Sequence, residues 1–257
     1  MYNMWFTVLF VPLVLAAQYP YDLTNDIFVQ PMDCFEDEPP IPSANLWVID
    51  NIDDHVEIQK AIDTLASRGA GALRLMPCVY NLGKRIEMRN NVNVYGEDDE
   101  QMVYQTTLDF SGNFKSDSLV LFNNVSNIEM IMVNIRKTDV PNHVYAIKVK
   151  SSKNIALYNM RVNTNQIGVR IDGASVVSTS CVHVTNAAVA MDIRNSKYVN
   201  IGCKDCSCVE TSFSGGLVEN AFANNTVLYR LSNNHYTNVY SAGYNLGQNN
   251  TVFSQQL

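Results

Sequence analysis

The stretch KNIALYNMRVNTNQIGVRI, Lys153 to Ile171, decides the fold, because it returns. Stepping 22 residues along the chain places Ile155 on Val177, Val162 on Val184, Val169 on Met191 and Ile171 on Ile193. A further step of 22 places Val177 on Val199 and Cys181 on Cys203, and a step backward sets Ile147 and Val149 against Val169 and Ile171. An earlier run, SNIEMIMVNI, matches KNIALYNMRV at an interval of 27, with the extra residues assigned to a loop around Lys137 to Asn142. Near the end NNTV at Asn224 returns at Asn249. Within each repeat, apolar and polar residues alternate with period two, the mark of a strand with one buried face. In IGVRIDG, Ile167 to Gly173, this alternation turns Val169 and Ile171 inward and Arg170 and Asp172 outward.

A period near 22 with several short strands and Asn, Ser and Gly between them is a solenoid signature. The leucine-rich repeat has a similar period, but its L-x-x-L-x-L-x-x-N frame is missing. The pattern predicts an all-β, right-handed parallel β-helix whose coils stack about 4.8 Å apart, the strand spacing of a sheet. One segment differs. DDHVEIQKAIDTLASRGAG places Ile58, Ala61, Ile62 and Leu65 on one helical face, with Gly69 and Gly71 after it. It predicts a helix over 54–67, opened by a capping box of Asp54 and Glu57, that covers the N-terminal edge of the stack. No such cap is evident at the C-terminus.

The chain has 257 residues, 47% hydrophobic, enough for one sizeable core. The first 17 residues, MYNMWFTVLFVPLVLAA, hold no Asp, Glu, Lys or Arg and end in small residues, as a secretory signal does. The expected division is a signal over 1–17, an N-terminal arm over 18–45 and one β-helix domain over 46–257, in a secreted, extracellular protein. Six cysteines, an even count, suit an oxidising compartment. Cys181 and Cys203 share a strand position on successive coils and form one candidate disulfide, with Cys206 or Cys208 as competing partners. Cys34 and Cys78 flank the cap helix and form the other. CKDCSC at 203–208 has no second ligand pair at zinc spacing, so no metal is expected there. Sequons at Asn124, Asn224 and Asn249 are candidate glycosylation sites.

The net charge of −7 gives no electrostatic attraction to nucleic acid, or to an anionic membrane once the signal is cleaved. GEDDE at 96–100 reads as a solvated acidic loop. No cofactor is expected, and Ca2+ has no specific motif to hold it.

Six charges stack at the 22-residue interval: Lys148, Arg170 and Asp192 in one outward column, Lys150, Asp172 and Arg194 in the next. As structure, this grid pairs Arg170 with Asp192 and Asp172 with Arg194, each worth a few tenths of a kcal/mol. As a site, it sets Asp172 and Asp192 on a diagonal about 8 Å apart, a separation that suits an inverting glycosidase. Alternatively Lys148 or Lys150 acts as base in a β-elimination, with Arg170 or Arg194 holding a sugar carboxylate. The catalytic candidates are therefore Asp172, Asp192, Lys148 and Arg170, and the substrate-binding candidates Lys150 and Arg194. The site reading requires the grid to be exposed in a shallow groove. His183, with Arg161 before it and Asp205 after it at the same interval, reads as a solvated or ion-paired residue. His55 falls in the cap helix, and His143 and His235 in loops.

The opening from Asp53, DDHVEIQKAID followed by GAGALRLMPCVYNLGKRIEMRNNVNVYGED, resembles that of the pectin-lyase-like right-handed β-helix proteins. Gly71, Leu75, Pro77, Tyr80, Asn91, Val92 and Gly96 take that family's positions, while Cys78 departs from it. The resemblance implies the β-helix fold and a polysaccharide partner, and this opening is shared by lyases, hydrolases, epimerases and phage tailspikes. Polygalacturonase-like members also carry N-T-D, D-D, G-H-G and R-I-K. Here only NTN at Asn163 to Asn165 comes near, and it reads as an Asn-rich turn. The expected function is a lyase- or glycoside-hydrolase-like protein acting on a cell-wall or extracellular glycan. The alternative is a catalytically silent β-helix that binds glycan or serves a surface structure.

Overall fold

The computed structural model describes residues 25–31, 34, 46–49, 53–97, 106–110, 115–137, 144–187, 189–201, 213–215, 229–232, 235–239 and 252–254. Its strands form two sheets in which every neighbouring pair is parallel. The smaller sheet stacks Ile86–Glu87, Ser118–Asn123, Tyr145–Lys150, Ile167–Asp172, Val189–Arg194 and Tyr229–Ser232 in chain order. The larger sheet, of fourteen strands, carries Ser126–Ile131, Lys153–Thr164, Ser175–Ala187 and Lys197–Ile201 along its spine. The chain visits one sheet, turns, and visits the other on every circuit, which is a parallel β-helix.

The register follows the repeat. Tyr145 lies opposite Ile167 and Ile167 opposite Val189, each 22 apart, while Ser118 and Tyr145 are 27 apart and Val94 and Met130 are 36 apart. The interval is 22 only in the middle of the stack: Gly71 and Val92 are 21 apart, while Met191 and Tyr229 are 38 apart. The core is filled by the inward set of each strand. Ile147, Val149, Val169, Ile171, Met191 and Ile193 face Ile128, Ile155, Leu157, Val177 and Val199, all buried. Each such side chain contributes about 1.5–3 kcal/mol by leaving water.

Turns stack as well as strands. Asn124, Ser151, Gly173 and Asn195 take positive φ at the same corner, between the small sheet and the large one. Buried Ser152 and Ser196 bind that corner, each accepting a hydrogen bond from the coil before it, Val125 N at 3.2 Å and Ala174 N at 3.2 Å. Three residues after that corner a second row takes positive φ: Asn127, Asn154, Val176 and Tyr198, with Asn91 below them. The first three amides are laddered, Asn154 to Asn127 at 3.0 Å and Asn127 to Asn91 at 3.1 Å. Gly96, in the opening, answers to space: a Cβ there would sit 2.8 Å from the Cβ of Thr106 and against the carbonyl of Met132.

The helix spans His55–Ser67 and buries Ile58, Ala61, Ile62 and Leu65. Gln59 completes the edge of the small sheet. Its amide donates to Glu87 O at 2.9 Å and its carbonyl accepts from Glu87 N at 2.8 Å, replacing the missing neighbouring strand. The expected capping box is not formed. Asp54 is the N-cap residue but its side chain makes no cap hydrogen bond, and it instead accepts from Asn81 N at 2.7 Å. Burial beneath the first coil turns that carboxylate toward a neighbouring strand. Asp53 takes part of the role, accepting from His55 N at 3.4 Å.

The N-terminal arm holds a strand. Ile27–Pro31 lies between Leu46–Ile49 and Gly71–Leu75 in the large sheet, and Cys34 is bonded to Cys78 with a Cα separation of 6.1 Å. The signal segment over 1–17, the acidic residues 98–100, Asn224 and Asn249, Cys203, Cys206, Cys208, Asp205 and His143 lie outside the described residues, as does the side chain of Cys181. His235 falls in a strand, His235–Val239, not in a loop. Among the described residues no helix is long and apolar enough to cross a membrane.

Candidate functional site

The grid forms in the expected register: Lys148, Arg170 and Asp192 are successive partners, as are Lys150, Asp172 and Arg194. Its exposure differs from the expectation of an open groove. Asp192 is 0% exposed and Arg170 7%, whereas Lys148, Asp172 and Arg194 are partly covered and Lys150 is open to solvent. The centre of the grid is therefore desolvated and only its rim is wet.

The pairing inside it also differs. Asp192 is contacted by Nη1 of Arg170 from the coil below. Arg194 then reaches back along its own strand, with Nε to Oδ1 and Nη2 to Oδ2 of Asp192, both at 3.0 Å. Arg194 lies opposite Asp172 as expected, but its guanidinium pairs with the buried Asp192 carboxylate instead, because charge interactions strengthen as water is excluded. Asp172 is held by Nη2 of Arg170 at 2.9 Å and Nδ2 of Asn195 at 3.2 Å. Burial alone would raise the Asp172 carboxyl. The hydrogen bonds from Arg170 and Asn195, with the charges of Arg170 and Arg194, outweigh it and hold the group below the usual carboxylate range. A carboxyl held below its ordinary range is ionised at neutral pH, so Asp172 does not offer the proton that a general acid requires.

Lys148 is engaged by Asp117. Its ammonium also lies 5.4 Å from the ring centroid of Tyr145, over which Arg170 sits at 5.8 Å. From Asp117 the ion pairs continue through Arg85 at 3.4 Å to Glu87 at 2.6 Å, and through Arg89 to Asp63 of the helix at 2.8 Å. The grid is thus one end of a ladder that runs from the cap helix across the outer face of the small sheet. The wall expected from the loop around Lys137 is not supplied by Lys137 itself. That residue ends the strand Asn134–Lys137, is buried, and donates to Phe110 O at 3.0 Å.

A second polar face escaped the sequence reading except for Arg161, Asn163 and His183. On the far limb of the large sheet, Thr107, Asn134, Arg161 and His183 stack in one column, and Asp109, Arg136, Asn163 and Thr185 in the next. Arg136 and Asp109 pair at 2.5 Å. His183 is half-buried, and burial, then the charge of Arg161, lowers its pKa below the ordinary histidine value. Asn163 and Thr164 end the strand Lys153–Thr164, and Asn165 and Gln166 make the bend that follows, so NTN is only partly a turn. The signal for this face was the 27-residue interval, which carries Asn134 onto Arg161 and Arg136 onto Asn163. Asn124 is exposed at its turn with φ 55, and its N–H donates to Lys150 O at 2.9 Å.

No family model matches the chain, and no curated protein sequence matches it. Solved structures do. A protein of Parabacteroides merdae assigned to the glycosyl hydrolases has 13% identity and a TM-score of 0.48, over 72% of this chain and 90% of that one. The A-module of an Azotobacter vinelandii mannuronan C-5 epimerase has 15% identity and a TM-score of 0.41, over 75% and 67%. A tailspike protein of E. coli bacteriophage HK620, solved with a pentasaccharide, has 13% identity and a TM-score of 0.38, over 77% of this chain and 52% of its own. By the parallel register of its own strands, the chain is a parallel β-helix.

Proposed function

We propose that this chain is an exported, glycan-binding parallel β-helix, and that its charge grid is a structural ladder with no catalytic role. The observation that carries the second half is the state of Asp192: fully buried, with both carboxylate oxygens taken by the guanidinium groups of Arg170 and Arg194. An inverting pair needs a water between its two carboxylates, and this one has guanidinium groups. Lys148, the candidate base, is committed to Asp117. The resemblance of the opening supports a polysaccharide partner. So do the long outward rows of amides, hydroxyls and guanidinium groups, whose donors and acceptors match those of sugar hydroxyls. Export is supported by the apolar first 17 residues and by the Cys34–Cys78 disulfide. The reading invokes no cofactor.

The test is incubation with pectin, alginate and neutral glycans. Unsaturated uronate absorbance and new reducing ends report turnover, and affinity electrophoresis reports binding. Binding without products is expected. Product formation abolished by Asp172→Asn or Asp192→Asn, in a variant that remains folded, overturns the structural reading of the grid. A second reading, catalysis on the far limb, is favoured by one observation: half-buried His183 lies opposite Arg161 on the next coil, where burial and that charge lower its pKa. Products lost in His183→Gln would establish it.

A further inference from the structure

The corner between the two sheets carries three lysines that have no ion-pair partner among the described residues. Lys150 ends a strand of the small sheet, Lys153 begins the next strand of the large one, and Lys197 is two coils above Lys153 in the same column. All three are exposed, and none has an ion-pair partner among the described residues. The acid closest to them in the grid, Asp172, is already held by Arg170 and Asn195 and does not neutralise them.

The adjoining row adds a second observation. Its first three coils use Asn, which tolerates positive φ. The next two use Val176 at φ 54 and Tyr198 at φ 54. That conformation is unfavourable for an ordinary L-residue, and a β-branched residue there is an outlier. Neither residue recovers the cost by burial: Val176 is 44% exposed and Tyr198 54%. Strain held at an exposed position, beside free cations, is the pattern of a surface shaped for contact.

We propose that this corner ridge binds an anionic polysaccharide, with Lys150, Lys153 and Lys197 contacting its acid groups and Tyr198 stacking on a sugar ring. The proposal rests on the reading that the chain binds glycan, and adds where and of what charge. A polymer lying along the helix axis crosses one coil every 4.8 Å or so, and meets Lys153 and Lys197 about 10 Å apart. Lysine suits this task, because its flexible stem tracks acid groups of varied spacing. The overall charge of −7 does not defeat it. At about 0.1 M salt the screening length is about 10 Å, so the ridge acts on a ligand through its own charges.

The test compares the wild type with Lys150→Ala/Lys153→Ala/Lys197→Ala and with Tyr198→Ala, titrated by calorimetry with polygalacturonate, alginate and a neutral glucan. The three lysine side chains are exposed, so the melting temperature of the triple variant should stay close to wild type. The triple variant is expected to lose about tenfold or more in affinity for the two anionic glycans, which is about 1.4 kcal/mol. Raising salt from about 50 to about 200 mM should weaken the wild type and leave the triple variant nearly unchanged. Tyr198→Ala should lose affinity without losing salt dependence. If the wild type binds anionic glycan and the variants bind it equally well, the ridge assignment is wrong and the glycan reading stands. Binding to the neutral glucan alone has the same consequence. If nothing on the panel is bound, both fall.

Discussion

Asp192→Asn separates a desolvated ion-pair network from a surface one. The substitution keeps the shape and one acceptor, and removes the charge. In the wild type Asp192 is wholly buried against Arg170, which is itself 7% exposed. Deleting one partner of a buried pair costs about 3–5 kcal/mol, because the other charge stays buried. Here Arg170 keeps Asp172 at 2.9 Å, and the Arg194 side chain is 38% exposed and rehydrates. Those two escapes place the expected cost at the low end, about 3 kcal/mol. Asp172→Asn is the internal control. Its side chain is 32% exposed, and pairs of that kind are worth about 0–1 kcal/mol. Urea denaturation at pH 7 should show a clear fall in midpoint for Asp192→Asn, with little change in slope, and a small one for Asp172→Asn. In thermal melts, about 3 kcal/mol corresponds to roughly 6–12 °C for a domain of this size. A cycle adding Arg170→Met should return a coupling above about 1 kcal/mol. Equal costs for the two aspartates, or a cost under about 1 kcal/mol at Asp192, would refute the claim that the centre of the grid is desolvated.

Replacing Cys34 and Cys78 together by serine opens a bridge between residues 44 apart and should cost about 3–4 kcal/mol, read as a lower urea midpoint that reductant reproduces in the wild type. Val176→Asn should stabilise by about 1 kcal/mol, since Asn accepts positive φ and can join the amide ladder below it; a destabilised variant would mean that the row does not hold this conformation. Acid should destabilise the protein through carboxylates such as Glu87 and Asp172. The hydrogen bond from Arg85 lowers Glu87, and Asp172 is lowered because its hydrogen bonds and neighbouring charges outweigh burial. For groups depressed in the folded state the unfolded chain binds more protons in acid. Their contribution is complete above the ordinary values near pH 4 and is lost as pH falls through the folded ones. The urea midpoint should thus fall below about pH 4, and a rise there would contradict the assignment.

What the sequence determined by itself is whatever follows from local period and fixed interval. Alternation in IGVRIDG set Val169 and Ile171 inward, because successive side chains of a strand must face opposite ways. The 22-residue interval put Arg170 beside Asp192 and Asp172 beside Arg194, because equal coils stack equal positions. The helix was legible from Ile58, Ala61, Ile62 and Leu65 for the same kind of reason. Only the tertiary structure decided what each outward residue does. Alternation says that Asp192 points out of the core, not whether anything lies over it, and its full burial is what draws in Arg194 as well as Arg170. Asp54 left its capping role for Asn81, a partner 27 residues away that no local pattern names. The strand Ile27–Pro31 joined the sheet next to Gly71–Leu75 across an interval outside the repeat. Val176 and Tyr198 carry no local preference for positive φ; the coils beneath them, where Asn holds that turn, impose it. Period and interval are properties of the backbone and can be read along the chain, whereas burial, ion pairing and turn strain depend on neighbours that only folding brings together.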